Sequence, residues 1–286
     1  MVATTGSFTR AAAALNYAQS SITAQIQALE GDLGVRLFQR FPRRVALTDA
    51  GERFLQVAEE MLRLADHAVQ VVRAREEPQG ALVLSAPETL CSYWLPAVFR
   101  HFRKAHPRVR LVFRPAPVAD FRRMVGEGVL DLAFVLEEPI AEGALHVESL
   151  FPVPMQVVAA PGHALTRARS VRALDLKGES VLLTELGCSY RNQFEHALIA
   201  AGAHPGPTLE FASVESIKQC VMAGLGVSIL PHLSIRQELA RGRMKILRWK
   251  DPPFHVQAQV VARPDNLGRP AVRAFLEAVR AHLPGS

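Results

Sequence analysis

Closely spaced cysteines are absent from the 286 residues: Cys91, Cys188 and Cys220 are the only thiols, far apart and odd in number. That pattern excludes a disulfide framework and a zinc ribbon, and it predicts a reducing compartment. No apolar run approaches the roughly 18 residues of a membrane span. Met1 is not followed by a basic stretch and an apolar core, so an export signal is not expected and the cytoplasm is the predicted location. Phosphate-loop sequences are missing too. Gly224-Leu225-Gly226 lacks the third glycine of a dinucleotide fingerprint and follows a predicted helix where the fingerprint follows a strand. The ten histidines never fall into HExxH or a similar ligand spacing, and Cys188 and Arg191 are too close in sequence for a cysteine-phosphatase loop. No cofactor, metal or catalytic residue is therefore expected, and enzymatic turnover is a minor reading. A redox role for Cys188 rests only on its predicted helix start and on Arg191 nearby.

What remains is the composition of a folded protein, 49% hydrophobic and 21% charged, long enough for more than one domain. The 33 Lys and Arg against 27 Asp and Glu give +6, which admits an anionic partner without requiring one. Half of that excess lies in the first 48 residues, where five arginines face Glu30 and Asp32. Four of the five fall in RLFQRFPRRVALT, Arg36 to Thr48, where short extended pieces flank a Phe-Pro turn. The pattern predicts a hairpin with a cationic tip bearing Arg40, Arg43 and Arg44.

From Asp49 to Glu77 there is one glycine and no proline, with Thr48 placed as an N-cap and Asp49 and Glu52 in the first turn. A long helix is expected. Phe54, Ala58, Met61, Ala65, Ala68 and Val72 step by four and three residues, beside Leu55, Leu62 and Val69. That is the spacing of a coiled-coil seam and predicts a homodimer, the alternative being an amphipathic helix packed on its own domain.

From Gly80 onward, strand and helix patterns alternate. Strands are predicted at 81–85, 109–113, 130–136, 155–160, 181–184, 208–211, 227–230 and 256–262, with helices at 93–105, 120–127, 191–201, 214–223 and 270–282. This is βαβ organisation.

The opening stretch TRAAAALNYAQSSITAQIQALE holds two short helical patterns. Ala11, Ala12 and Leu15 share the inner face of one; Ile22, Ile26 and Leu29 share that of the other, with Asn16 and Tyr17 at the corner. Gln19, Ser20, Thr23, Ala24 and Gln27 are left on the outer face of the second. A helix exposed only for solubility usually carries Glu and Lys. Uncharged amides and hydroxyls suit the edges of bases in a DNA major groove, and small alanines let two helices cross closely, as a helix-turn-helix requires.

Over Gly6 to Leu55, GSFTRAAAALNYAQSSITAQIQALEGDLGVRLFQRFPRRVALTDAGERFL, the sequence closely resembles the LysR-type transcriptional regulators. The resemblance continues in GALVLSAPETL, Gly80 to Leu90, in GCSYRNQFE, Gly187 to Glu195, and in SVESIKQCVMAGLGVSILP, Ser213 to Pro231. It implies an α/β protein. A winged helix-turn-helix occupies residues 1–48 and a linker and dimerisation helix residues 49–79. Residues 80–286 form an effector domain of two Rossmann-like subdomains resembling periplasmic binding proteins, one of 80–160 with 262–286 and the other of 161–261. Family members begin with a further half helix, so Met1-Val2-Ala3 is expected to lie inside that helix. Ala18 stands where relatives place Ser as N-cap, a loss of about 0.5 to 2 kcal/mol unless Gln19 or Ser20 substitutes.

The implied partners are double-stranded DNA, a small-molecule co-inducer and a second copy of the chain, with assembly to a homotetramer, RNA polymerase as a further candidate, and no membrane. Gln19, Ser20, Thr23 and Gln27 would read bases, and Arg40, Arg43 and Arg44 would hold phosphates. Residue-by-residue correspondence places the effector site at Glu88, Thr89, Pro117, Val118, Cys188, Ser189, Tyr190, Arg191 and Ser213. The helix start at Ser189 and the Arg191 guanidinium would favour an anionic ligand, unless Ser189 merely caps its helix and Arg191 meets an acid. A solute-binding protein without DNA-dependent function is the alternative, disfavoured by the first 77 residues.

Overall fold

Small side chains set the geometry at the start of the chain. The computed structural model describes residues 1–41, 44–72, 77–141 and 143–284 and divides into two units, Met1–Ala74 and Arg75–Ser286. In the first, α1 (Val2–Thr5) leads into α2 (Phe8–Leu15) and α3 (Gln19–Leu33). Ala11 and Ala12 are fully buried where α2 meets α3, and Ile22, Ile26 and Phe8 pack around them. Asn16 closes the corner in the left-handed region, φ 57°, which Asn tolerates better than most residues. Leu15 departs from expectation. It is 42% exposed, because it ends α2 at the rim of an open apolar pocket of about 260 Å³ rather than under α3.

The hairpin follows as β1 (Phe38–Phe41) and β2 (Arg44–Leu47), paired antiparallel with Phe38 opposite Leu47. One carboxylate fastens it to α3: Glu30 Oε1 accepts the Leu37 and Phe38 amides at 2.7 and 3.0 Å. Thr48 then starts α4 (Asp49–Val72), its hydroxyl accepting the Gly51 amide at 3.0 Å and donating to the Arg36 carbonyl at 2.7 Å. Gly51 has no room for a side chain, since a Cβ there would lie 2.0 Å from the Leu37 carbonyl oxygen.

The second unit contains two five-stranded sheets. The first comprises β3 (Gly80–Ser85), β4 (Val109–Phe113), β5 (Leu132–Glu137), β6 (His146–Pro152) and β12 (Gln257–Ala262), in the order β4-β3-β5-β12-β6. The second comprises β7 (Met155–Ala159), β8 (Val181–Thr184), β9 (Thr208–Phe211), β10 (Val227–Pro231) and β11 (Lys245–Ile246), in the order β11-β7-β10-β8-β9. Each sheet has three parallel strands, β4, β3 and β5 in one and β9, β8 and β10 in the other, followed by antiparallel ones. The helices are α5 (Glu88–Tyr93), α6 (Leu95–Ala105), α7 (Phe121–Gly126), α8 (Ser189–Ala200), α9 (Val214–Met222), α10 (His232–Ala240) and α11 (Pro270–Arg280).

Three expectations need correcting here. The chain does not cross between sheets near Ala160 and Ala262: β7 already belongs to the second sheet and β12 still to the first. The two crossings run side by side, with the Val153 amide donating to the Val256 carbonyl at 2.8 Å. The strand β6, unmarked by clear alternation, supplies the edge that pairs with β12 and moves both boundaries toward the middle of the chain. The helix expected at 93–105 is two helices broken at Trp94, φ −133° and ψ −56°. Pro96 has no amide to continue the α5 ladder, and the Trp94 indole turns inward to donate to the His282 carbonyl at 2.7 Å. The helix α10, directly after β10, had no distinct sequence signal.

A buried ion pair fixes the first sheet. Asp131 Oδ2 accepts the Val83 amide at 2.8 Å, and its other oxygen meets Arg269, which also donates to the Ala81 carbonyl at 3.2 Å. Trp94 packs edge-on against Phe134 and Phe151, ring centres 5.7 and 4.8 Å apart. One apolar core continues from these residues through Val157, Val181 and Phe194.

Candidate functional sites

On α3 the outer face is as polar and uncharged as its sequence. Gln19, Ser20 and Gln27 are exposed and Thr23 is half-buried. The Thr23 hydroxyl donates to the Gln19 carbonyl at 2.9 Å and accepts from Gln19 Nε2 at 3.2 Å, which holds the Gln19 side chain against its own helix. Ala18 stands as N-cap without a side-chain hydrogen bond, and neither Gln19 nor Ser20 replaces it. Arg40 lies on β1 and Arg44 opens β2; Arg43 lies outside the described residues.

Along α4 the predicted seam divides. Phe54 and Ala58 line the apolar pocket with Ile22, Ile26 and Leu29 of their own unit, whereas Met61 is 65% exposed and Ala65 is also exposed. Val57 and Leu62 are exposed beside Met61. Ala68 and Val72 fall on the same helix, toward its end.

The second site lies between the two sheets of the second unit, at the carboxyl ends of β3 and β8, where open α/β sheets place their ligands. A cavity of about 50 Å³ is lined by Pro87, Glu88, Thr89, Val118 and Leu136 from the first-sheet side, and by Thr184, Glu185, Cys188, Ser189, Tyr190, Ala212 and Val214 from the other. Six of the predicted residues come together in it: Glu88, Thr89, Val118, Cys188, Ser189 and Tyr190. Pro117 is not among the lining residues, although its neighbour Val118 is. Ser213 acts through Glu88, donating to its Oε1 at 3.0 Å while the Val214 amide donates to Oε2 at 2.6 Å. A carboxylate from the first-sheet side thus occupies the amino end of α9.

Arg191 is the main correction. Its side chain is buried outside the cavity, with Nη1 donating to Glu210 at 2.6 Å and to the Thr184 carbonyl at 2.5 Å, and Nε to Glu195 at 3.1 Å. Burial works against its charge, but Glu210 and Glu195 outweigh that and hold its pKa above the ordinary value. The part of the alternative in which Arg191 meets an acid is therefore realised, while the N-cap of α8 is Cys188 and not Ser189. Sequence reasoning placed Arg191 at a helix start but could not tell that, three residues into α8, its side chain turns back toward β8 and β9.

Cys188 is carried to the start of α8 by Gly187, whose φ of 88° suits glycine. Burial raises the Cys188 thiol pKa, against the opposing pull of Thr184 and the Arg191 and Tyr190 amides. Cys91, on α5, is pushed up to about 11 by burial and by Glu88. Neither is poised as a thiolate. Tyr190 is also raised well above its ordinary pKa, chiefly by burial. Thr184 and Glu185 were missed from the sequence. The signal available was their position at the end of a predicted strand, equivalent to that of Ser85 before the Glu88 loop.

A further polar cluster lies beside the cavity. Buried Lys218 of α9 donates to the Tyr93 hydroxyl at 2.9 Å and pairs with Glu215 and Glu238 at 2.8 and 2.9 Å. Burial opposes its charge, yet these partners hold its pKa above the ordinary value.

Two family descriptions match the chain: a bacterial regulatory helix-turn-helix protein of the lysR family over residues 1–52, and a LysR substrate binding domain over residues 75–284. The HTH-type transcriptional regulator YwqM of Bacillus subtilis strain 168 is 41% identical over 275 residues, covering 96% of this chain and 93% of its own. GltR of the same organism is 32% identical, covering 97% and 92%. Among solved structures, a full-length cysteine-substituted OxyR from Pseudomonas aeruginosa superposes with a TM-score of 0.73 at 25% identity, covering 98% of this chain and 91% of that one. Full-length CbnR in complex with its target DNA gives 0.69 at 22%, covering 98% and 96%, a likeness of fold.

Proposed function

Because the chain belongs to the LysR family, as a DNA-binding transcriptional regulator with an effector-binding domain, we propose the following division of labour. The α3 face of Gln19, Ser20, Thr23 and Gln27 reads bases in the major groove. Arg40, Arg43 and Arg44 of the hairpin hold phosphates on either side. Two chains join through the exposed part of α4, presenting two reading helices to an approximately palindromic site. Further assembly to a tetramer and contact with RNA polymerase belong to the same reading. The cavity at the ends of β3 and β8 takes the effector, which acts by binding and not by turnover.

The observation that carries the reading is the uncharged polar face of α3, held down by Ile22 and joined to the hairpin through Glu30. Gln19→Ala should change base preference, by about 1 to 3 kcal/mol at the contacted pair. Arg43→Ala should weaken binding to all sequences alike and lower the salt dependence by about one phosphate contact. Titrations of specific and random duplexes across a salt series measure both. Equal losses on the two duplexes for Gln19→Ala would remove it from base readout.

A further inference from the structure

If the cavity between the sheets is the effector site, its charge decides what can enter. Among the described residues no lysine, arginine or histidine lines it, and two glutamates do, Glu88 and Glu185. The nearest buried cations are already engaged: Arg191 by Glu195 and Glu210, and Lys218 by Glu215 and Glu238. The amino end of α9, which would draw an anion, is also filled from within the chain: Glu88 and Ser213 cover it.

Acceptors, by contrast, are left over. Thr184 is 8% exposed; its hydroxyl oxygen is buried at the cavity wall, where its neighbours are the Cys188 thiol and the Tyr190 phenol and none of them reaches full hydrogen-bond geometry. A buried hydroxyl without a well-formed partner is costly, and here it shares the cavity wall with Glu185, which makes no ion pair among the described residues. The described residues contain no group of three or more His, Cys, Asp or Glu placed to hold a metal ion. The cavity of about 50 Å³ accommodates about three to five water-sized positions, at roughly 10 to 15 Å³ each, which suits a compact head group whose remainder extends outward.

The geometry points to an effector bearing a protonated amine, its ammonium donating to the Glu185 carboxylate and the Thr184 hydroxyl. Glu88 contributes negative charge to the same wall while it stays on the start of α9. This replaces the anionic ligand that Arg191 suggested from the sequence.

The test is a thermal-shift and calorimetric titration of the full chain at constant ionic strength. Three chloride salts serve as amine probes (methylammonium, ethanolammonium and 1,3-diaminopropane), and three sodium salts as acid probes (acetate, glycolate and malonate). At least one amine should bind saturably and raise the melting temperature, and the acids should not. Glu185→Gln and Thr184→Val should each weaken that amine by roughly tenfold or more, as loss of a charged hydrogen bond does. Both are near-isosteric, and an unchanged melting temperature without probe establishes that each variant folds; Glu185→Ala and Thr184→Ala serve in place of a variant that does not. Saturable binding of an acid and of no amine overturns the amine assignment and leaves the effector cavity standing. Binding by neither class overturns the assignment and the cavity's role as effector site together. Amine binding unaltered in both variants places the amine elsewhere and overturns the assignment as well.

Discussion

A few side chains decide how each site works, and their effect depends on which groups they meet. Glu88 and Arg191 both lie at the start of helices in sequence, one acidic and one basic. The structure sends Glu88 to the amino end of α9 and folds Arg191 back onto Glu195, Glu210 and the Thr184 carbonyl. The cavity between the sheets is therefore lined by Glu88 and Glu185 and not by Arg191. Gly51 is a residue-scale constraint of another kind. It lies in the first turn of α4, where a Cβ would meet the Leu37 carbonyl oxygen at 2.0 Å and a Leu47 methyl at 3.0 Å. Both neighbours belong to the segment carrying the hairpin, so relief requires moving α4 away from it. Gly51→Ala should destabilise the first unit by about 1 to 3 kcal/mol, the usual penalty of forced overpacking. Urea unfolding followed by a probe in that unit should show the loss, with the effector domain's transition unchanged.

Individual elements carry more than one task, and α4 shows the division most clearly. Its first half closes the apolar side of the first unit through Phe54, Leu55 and Ala58; farther along, Met61 and Leu62 are 65% and 68% exposed. Two adjacent large apolar side chains held in water favour a partner that covers them. Met61→Asp should place a charge in that contact and give monomers in sedimentation, while Phe54→Ala should chiefly lower the stability of the unit itself. A dimer that persists unchanged in Met61→Asp would move the seam off this face. The helix α3 has a similar double role: Ile22 and Ile26 anchor it, Glu30 ties down the hairpin, and the opposite face is left free of charge. The heptad spacing of α4 was readable in the sequence. The point at which its apolar stripe passes from self-packing to exposure was not, because the same spacing satisfies either neighbour.

At the scale of the molecule, the effector domain is held by ion pairs spanning long stretches of sequence. Arg280 of α11 makes a two-pronged contact with Glu148 of β6 at 2.7 Å on both oxygens, and Lys218 joins α9 to Tyr93 of α5 and to α10. Hydrogen bonding from Arg280 lowers the Glu148 pKa below its ordinary 4.5, and hydrogen bonding from Lys218 does the same for Glu215. A carboxylate whose folded pKa is depressed contributes stability that is fully present above its unfolded value and is lost as pH falls through the folded one. The urea midpoint of the effector domain should therefore decline as pH drops below about 4.5. Glu148→Gln should start lower at neutral pH and decline less steeply on acidification, since it has no proton to take up there.

By itself the sequence determined what local physics can determine. The alanines of α2, the isoleucine spacing and uncharged face of α3, the two paired strands of the hairpin and the Thr48 cap each depend on neighbours a few residues away, and each stands where its pattern put it; the Phe-Pro turn itself falls on Pro42 and Arg43, outside the described residues. The βαβ order was legible for the same reason, in strands whose apolar runs are distinct; Glu88, Thr89, Val118 and Cys188 were marked by the family resemblance, and Glu88 and Thr89 begin α5 where a loop was expected. Only the tertiary structure decided which sheet β7 and β12 join, since that depends on β6 pairing with β12 across more than a hundred residues. It also brought Thr184 and Glu185 to the same cavity as Glu88 and withdrew Arg191 from it. Charge and hydrogen bonding act through space, and a one-dimensional spacing does not record which side chain will reach the other's end of a sheet.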